Sequence, residues 1–269
     1  LIPAAFTYQR ASSAAEALEL AAQGGEDAKF LAGGHSLLPL MKLRLAVPEI
    51  VVDIGRLAEL RYIRDDGAQI TLGALTSHDE IARSARLAAQ LPLLAYAAGQ
   101  VGDPQVRHRG TIGGSLAHAD PASDLPAVTL ALNATLVARG PSGSREIGAD
   151  DFFRGMFETA LRPGELLTEI RIPKPQAAGW SFQKFTKRAI DWAIVGVAVQ
   201  GGSVALVNMG QTPVRARAVE RALASGAGPR DAAAHAAQES NPPDDLNGAA
   251  RSSTRPRSPS SSPPSGCRR

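Results

Sequence analysis

Two glycine pairs constrain this chain more than any other feature. One lies in Ala32-Gly33-Gly34-His35-Ser36 and the other in Thr111-Ile112-Gly113-Gly114-Ser115. Each ends on a hydroxyl residue and precedes apolar residues able to form a helix. Glycine reaches backbone angles closed to other residues and has no side chain to block approach. Such a turn can therefore aim several N–H groups at one anion. Taken singly, a Gly-Gly pair is an ordinary turn. Two of similar shape in one domain suggest a ligand carrying a diphosphate.

The residues around the pairs set the local architecture. Ser13 and Glu16 have the spacing of a capping box, which predicts a helix to about residue 22, stopped at Gly24-Gly25. A short buried strand over 29–32 would deliver the first pair, Ser36 would cap the following helix, and 49–54 would return as a strand. This β-loop-α-β unit lacks G-x-G-x-x-G, so it is not a Rossmann unit. The chain also lacks G-x-x-x-x-G-K-[ST], which disfavours a P-loop nucleotidase. Alternation over 60–64 and 69–73 predicts a hairpin. Helices are expected from 76–80 onward, over 92–101, and from Asp124 to about 132. The segment 102–123 reads as a long structured loop. Strands over 135–138 and 145–147 flank a turn, and 166–172 alternates as a strand. Pro173-Lys174-Pro175 marks a domain boundary. Beyond it, strands over 181–187, 193–200 and 203–209 precede helices over 214–224 and 231–238.

Composition narrows the function. Of 269 residues, 44% are apolar and 20% charged, which suits a soluble protein with sizeable cores. No apolar run approaches the ~18–20 residues of a membrane span. The first six residues carry no secretion-type signal, so a cytoplasmic location is expected, free or at the inner face of the membrane. Cys267 is the single cysteine, so this chain alone holds no Cys-based zinc site and no iron–sulfur cluster. Residues 251–269 contain five arginines and no acid; without them the formal charge of +3 falls to −2. The basic balance therefore does not argue for nucleic acid binding. That tail, with seven serines and four prolines, reads as disorder, and a frameshift in GC-rich coding DNA would give a similar composition.

The segments Ala32-Gly33-Gly34-His35-Ser36-Leu37-Leu38-Pro39-Leu40-Met41-Lys42 and Asp103-Pro104-Gln105-Val106-Arg107, with Gly110 through Ser115, resemble the FAD-binding medium subunits of the carbon monoxide dehydrogenases. These belong to the xanthine dehydrogenase (molybdenum hydroxylase) family. The resemblance runs from Ile2 to about Gly248. It implies an α+β fold: a two-lobed PCMH-type FAD-binding domain over 1–173, with lobes of about 1–55 and 56–173. A small antiparallel sheet with helices would follow over 174–248, and 249–269 would be a disordered or aberrant tail.

The FAD diphosphate would then sit on N–H groups of Gly33, Gly34, His35, Ser36, Thr111, Gly113, Gly114 and Ser115. The resemblance adds Ala32, Ala117 and Asp124 as cofactor contacts, with Val101 and Leu166 less firmly tied. Asp124 can alternatively cap its helix. Trp192 resembles the aromatic residue beside the flavin, and its alternative is a core tryptophan at a strand end. Lys184 could approach the flavin or be an exposed strand lysine. Arg107, His108 and Arg109 read as a solvated turn or as a basic cluster near phosphate. His35 stands where distant oxidases attach flavin covalently, but the family holds FAD noncovalently. His78, His118 and His235 are isolated, Asp150-Asp151 and Asp244-Asp245 read as surface or cap pairs, and neither a catalytic constellation nor a metal site stands out.

The expected function is that of a flavin subunit carrying electrons from two [2Fe-2S] clusters through FAD to an external acceptor. A separate large subunit would bind the molybdenum cofactor and a small subunit the clusters, in a dimer of heterotrimers. The alternatives are a self-sufficient flavoprotein oxidase and a non-catalytic nucleotide-binding assembly module.

Overall fold

The computed structural model describes residues 2–177, 179–242 and 244. Asp245 and the tail lie outside them. The chain opens with β1 (Thr7–Arg10), α1 (Ala14–Gly24), β2 (Ala28–Leu31), α2 (Leu37–Lys42) and β3 (Ile50–Asp53). Ser13 caps α1 by accepting the Glu16 N–H at 3.1 Å. The Glu16 carboxylate does not return to Ser13; it takes the Ser12 N–H at 2.7 Å. Ala14, Ala17, Leu18 and Ala21 are buried at helical spacing, and α1 lays this stripe on β2 and β3. The three strands form a parallel sheet in the order β1-β3-β2. Polar Thr7–Arg10 gave no strand signal, and β2 is only partly buried because it lies at the sheet's other edge.

The second part contains β4 (Ile63–Asp65), β5 (Gln69–Gly73), α3 (His78–Arg83), α4 (Ala85–Gln90), α5 (Pro92–Gly99), α6 (Pro104–Arg109), α7 (Ile112–His118) and α8 (Asp124–Ala131). It continues with β6 (Thr135–Gly140), β7 (Gly143–Gly148), α9 (Ala149–Phe152), β8 (Phe153–Gly155), β9 (Glu158–Thr159) and β10 (Leu166–Pro173). A five-stranded antiparallel sheet runs in the order β4-β5-β10-β6-β7. The expected loop over 102–123 is in fact two short helices. Asp103 caps α6 and Thr111 caps α7. At six or seven residues each, with glycines inside the second, both fall below the length at which apolar periodicity is readable. Every residue of α8 is buried, so this helix is enclosed on all sides.

The third part is an antiparallel sheet of β11 (Trp180–Phe185), β12 (Val195–Gln200), β13 (Ser203–Val207) and β14 (Val214–Arg215), followed by α10 (Arg217–Ala224) and α11 (Pro229–Ala233). Residues 214–215 extend the sheet where a helix start was expected, and the last helix is shorter than 231–238. Phe182, Ala198, Ala205 and Val207 join the core built around α5 and α8. A separate cluster holds the first part to the second through Val52, Ile54, Leu57, Leu75 and Leu166.

Phe152 is fully buried and meets Phe153 edge-on at 5.2 Å. Phe152→Ala is expected to cost about 3–5 kcal/mol of folding stability, measured as a shift of the urea unfolding midpoint.

Candidate functional site

The first glycine segment leaves β2 and turns into α2. Gly34 sits at φ +79°, a left-handed conformation open to glycine. A Cβ on Gly33 would lie 1.9 Å from the Arg109 carbonyl oxygen, so only glycine allows this segment to touch the end of α6. The N–H groups of Gly33, Gly34, His35 and Ser36 meet no acceptor among the described residues. Ser36 occupies the cap position of α2, but its side chain makes no capping bond. The His35 ring places Nδ1 3.1 Å from the Gly33 oxygen.

The second glycine segment differs. It is the first turn of α7, and its donors are largely engaged. The Ile112 N–H donates to the Thr76 oxygen at 3.0 Å, Gly113 to the Ala74 oxygen at 2.8 Å, and Ser115 to the Thr111 oxygen at 3.0 Å. The Gly114 N–H donates to Thr111 Oγ1 at 3.1 Å. The donors expected from Gly113, Gly114 and Ser115 are thus committed within the chain. What this segment offers is closeness: a Cβ on Gly114 would lie 2.8 Å from Thr111 Oγ1, displacing the hydroxyl that caps α7, and 4.0 Å from Ala32 Cβ.

One cavity of about 610 Å³ collects both segments, a size typical of small-molecule and cofactor sites. Ala32, Gly33, Gly34, His35, Ser36, Thr111, Gly113, Gly114, Ser115, Ala117, Asp124, Leu166 and Trp192 all line it, as does Val101. Trp192 is 61% exposed, so it is no core residue. Arg107 does not face a ligand: it clamps the Val101 and Gly102 carbonyls at 3.1 and 3.0 Å. His108 lies 3.3 Å from the Asp79 carboxylate.

Lys184, for which the sequence left open an approach to the flavin or an exposed strand position, lines the cavity, as do His78 and His118, which read as isolated in the sequence. Lys184 is not an exposed strand lysine; its ammonium meets Asp124 at 2.8 Å, with side chains 9% and 5% exposed. Asp124 does not cap α8. Ser123 holds that position and Asp124 is the first helical residue. Asp124 Oδ1 is buried without a partner. Burial pushes the carboxyl up to about 6 against the opposing pull of Lys184. Among the described residues, no group of three His, Cys, Asp or Glu side chains could hold a metal ion, and no helix is long and apolar enough to cross a membrane.

Comparison with known proteins fixes the family. Residues 4–175 match the FAD binding domain in molybdopterin dehydrogenase. The chain is 45% identical over 226 residues to the carbon monoxide dehydrogenase medium chain of Hydrogenophaga pseudoflava, covering 82% of this chain and 79% of that one. It is 44% identical over 197 residues to subunit alpha of the 6-hydroxypseudooxynicotine dehydrogenase complex of Paenarthrobacter nicotinovorans, covering 73% and 67%. The fold superposes with a TM-score of 0.89 on a chain of the H. pseudoflava carbon monoxide dehydrogenase that lacks the Mo-pyranopterin moiety of its molybdenum cofactor, at 44% identity and 94% and 93% coverage. This chain belongs to the FAD-binding subunits of the molybdopterin dehydrogenases. The cofactor of the domain is FAD, and the residues present fit it. Four unpaired N–H groups suit a diphosphate, a buried unpartnered carboxylate oxygen suits a polar ring edge, and an exposed indole suits a flat ring.

The Asp124 carboxyl generates a pH signature. Its folded value of about 6 lies above the ordinary 3.8. Between these the folded chain holds a proton that the unfolded chain has released. This group therefore favours folding as pH falls through that window and costs stability above it. In cofactor-free protein it should lower stability by about 2–3 kcal/mol between pH 4 and 6.5. Asp124→Asn should remove that slope in urea titrations. The slope is the readout, because Lys184 loses its partner in the variant.

Proposed function

We propose that this chain is the flavin subunit of a molybdenum-containing hydroxylase or dehydrogenase. It would carry electrons from the iron–sulfur clusters of a small subunit, through FAD, to an external acceptor. The carrying observation is the run of four unpaired N–H groups at Gly33, Gly34, His35 and Ser36, on a cavity that the second glycine segment completes. FAD supplies the exchange between single-electron clusters and an acceptor that takes two electrons. The chain's own residues bind and orient it. The first segment's N–H groups hold the diphosphate, each such charge-assisted bond contributing about 1.5–3 kcal/mol. Thr111 and Ser115 offer hydroxyls, while Ala32, Gly113, Gly114 and Ala117 leave room for the chain of the cofactor. Leu166 and Trp192 pack against its rings, and Asp124 accepts a hydrogen bond at Oδ1.

FAD is held noncovalently in this reading, with His35 turned to its own loop. Residues 1–173 form the FAD-binding domain and 174–248 the C-terminal domain. The partners are a large molybdenum-binding subunit and the small iron–sulfur subunit, in a dimer of heterotrimers. The relatives' names as medium chain and subunit of a complex support separate partner chains. Those names also differ in substrate, so similarity of this subunit does not carry one; substrate choice belongs to the large subunit. A single cysteine leaves no intrachain disulfide, in keeping with a cytoplasmic setting, free or at the inner face of the membrane.

Two measurements test this reading. Purified protein should carry a yellow cofactor that bleaches with reductant and moves to the supernatant on acid precipitation. Colour left in the pellet would mean a covalent flavin, and no flavin at all would refute the site. Gly114→Val should weaken FAD binding about 100-fold or more, roughly 3 kcal/mol, because its Cβ would push on Thr111 Oγ1 and its side chain would enter the narrow space facing Ala32. Flavin-to-protein absorbance reads the loss, with circular dichroism as the folding control.

A further inference from the structure

We infer that His78 is a further diphosphate ligand of this cavity, donating a hydrogen bond from Nε2–H to the phosphate oxygens held by the first glycine segment. The inference rests on the FAD reading above. His78 is 4% exposed and lines the cavity. Neither ring nitrogen has a hydrogen-bond partner among the described residues, and Nδ1 is completely enclosed. Nε2 is therefore the ring nitrogen left to meet a ligand.

The backbone brings this ring to the junction of the two glycine segments. His78 opens α3, and its N–H donates to the Gly110 oxygen at 3.0 Å. Its ring lies against Gly110, where a Cβ would come within 2.7 Å of Cδ2 and 2.9 Å of Nε2. Gly33 approaches the same residue: a Cβ there would lie 3.1 Å from the Gly110 Cα. The imidazole and the first glycine segment thus flank one glycine, immediately before Thr111. A side chain at either glycine would force them apart.

Chemistry fixes the ring as a donor. Burial, followed by the nearby His35 and Arg107, pushes His78 down to about 4, so the imidazole is neutral at pH 7. A neutral imidazole carries one proton. On Nδ1 that proton would be a buried donor without an acceptor, which is costly. On Nε2 it faces the cavity. A buried imidazole with no partner in the protein is a cost that an anionic ligand removes.

The test uses the full-length chain stripped of flavin, with dissociation constants for FAD, ADP and riboflavin measured by calorimetry. His78→Leu should weaken FAD and ADP by the same factor, about tenfold or more, and leave riboflavin unchanged. His78→Gln, which keeps an N–H donor, should return both to within about threefold of wild type. His78→Met replaces the leucine variant if that fails to fold. Unchanged FAD and ADP binding in the apolar variant would overturn the inference, as would an equal loss for riboflavin, which marks a merely structural role. If wild-type protein binds neither FAD nor ADP, the FAD reading itself fails and this inference falls with it. If wild type binds both and only the His78 comparison fails, the FAD reading stands.

Discussion

The contact on which the site depends is backbone against backbone. Gly33, in the turn after the parallel sheet, lies so close to the Arg109 carbonyl that any Cβ would overlap it. The two residues belong to different parts of the chain, each with its own sheet. An apolar cluster joins those parts behind the contact, where Leu75 and Leu166 meet Val52, Ile54 and Leu57. Apolar burial holds the parts together without specifying direction. The glycine contact supplies the register, because one extra methyl group would separate the two segments that close the cavity.

The two glycine pairs look alike in sequence and do different work. At Gly34 the chain adopts a positive φ and enters a turn whose N–H groups meet no acceptor among the described residues. At Thr111 the hydroxyl caps a helix, so the following N–H groups are absorbed into that cap, into α7 and into the Ala74 and Thr76 carbonyls. Gly113 is required for packing, since a Cβ there would lie 2.5 Å from the Ala74 side chain. The first pair thus supplies donors and the second supplies closeness. Thr111, two residues before the second pair where Leu31 stands before the first, supplies the capping hydroxyl that the first segment lacks.

Much of this was legible from the residues. Alternation located β5 and β10, where the alternate apolar residues Ile70, Leu72, Ile170 and Ile172 are fully buried, although in β5 the intervening Thr71 is buried as well. The helix start expected at 76–80 is α3, where Ser77 and Glu80 form both reciprocal bonds of a capping box. The cavity residues near the glycine pairs were legible because they are close in sequence. Elements set by tertiary contact were not. β1 is a polar tetrapeptide that becomes a strand only by pairing with β3. Lys184 alternates like an exposed strand residue, and nothing local reveals that Asp124, sixty positions away, sits opposite it. His78 looked isolated because its neighbours Gly110 and Gly33 are remote in sequence and contribute no side chain.

The Lys184–Asp124 pair explains why the third sheet belongs to the site. A buried ion pair is a poor source of stability, because desolvating both charges offsets much of their attraction. Its value here is electrostatic balance. An ionised Asp124 standing alone in the cavity wall would repel a cofactor with two phosphate charges. The ammonium brought in by β11 cancels that field at 2.8 Å while leaving Oδ1 free to accept a hydrogen bond. Lys184 also reaches the Gln100 carbonyl at 3.3 Å, at the end of α5. One side chain thus links the third sheet, α5 and α8 across the cavity. The glycine segments can be ordered by the first two parts of the chain, but the charge of the cavity wall is completed only when the third packs against them.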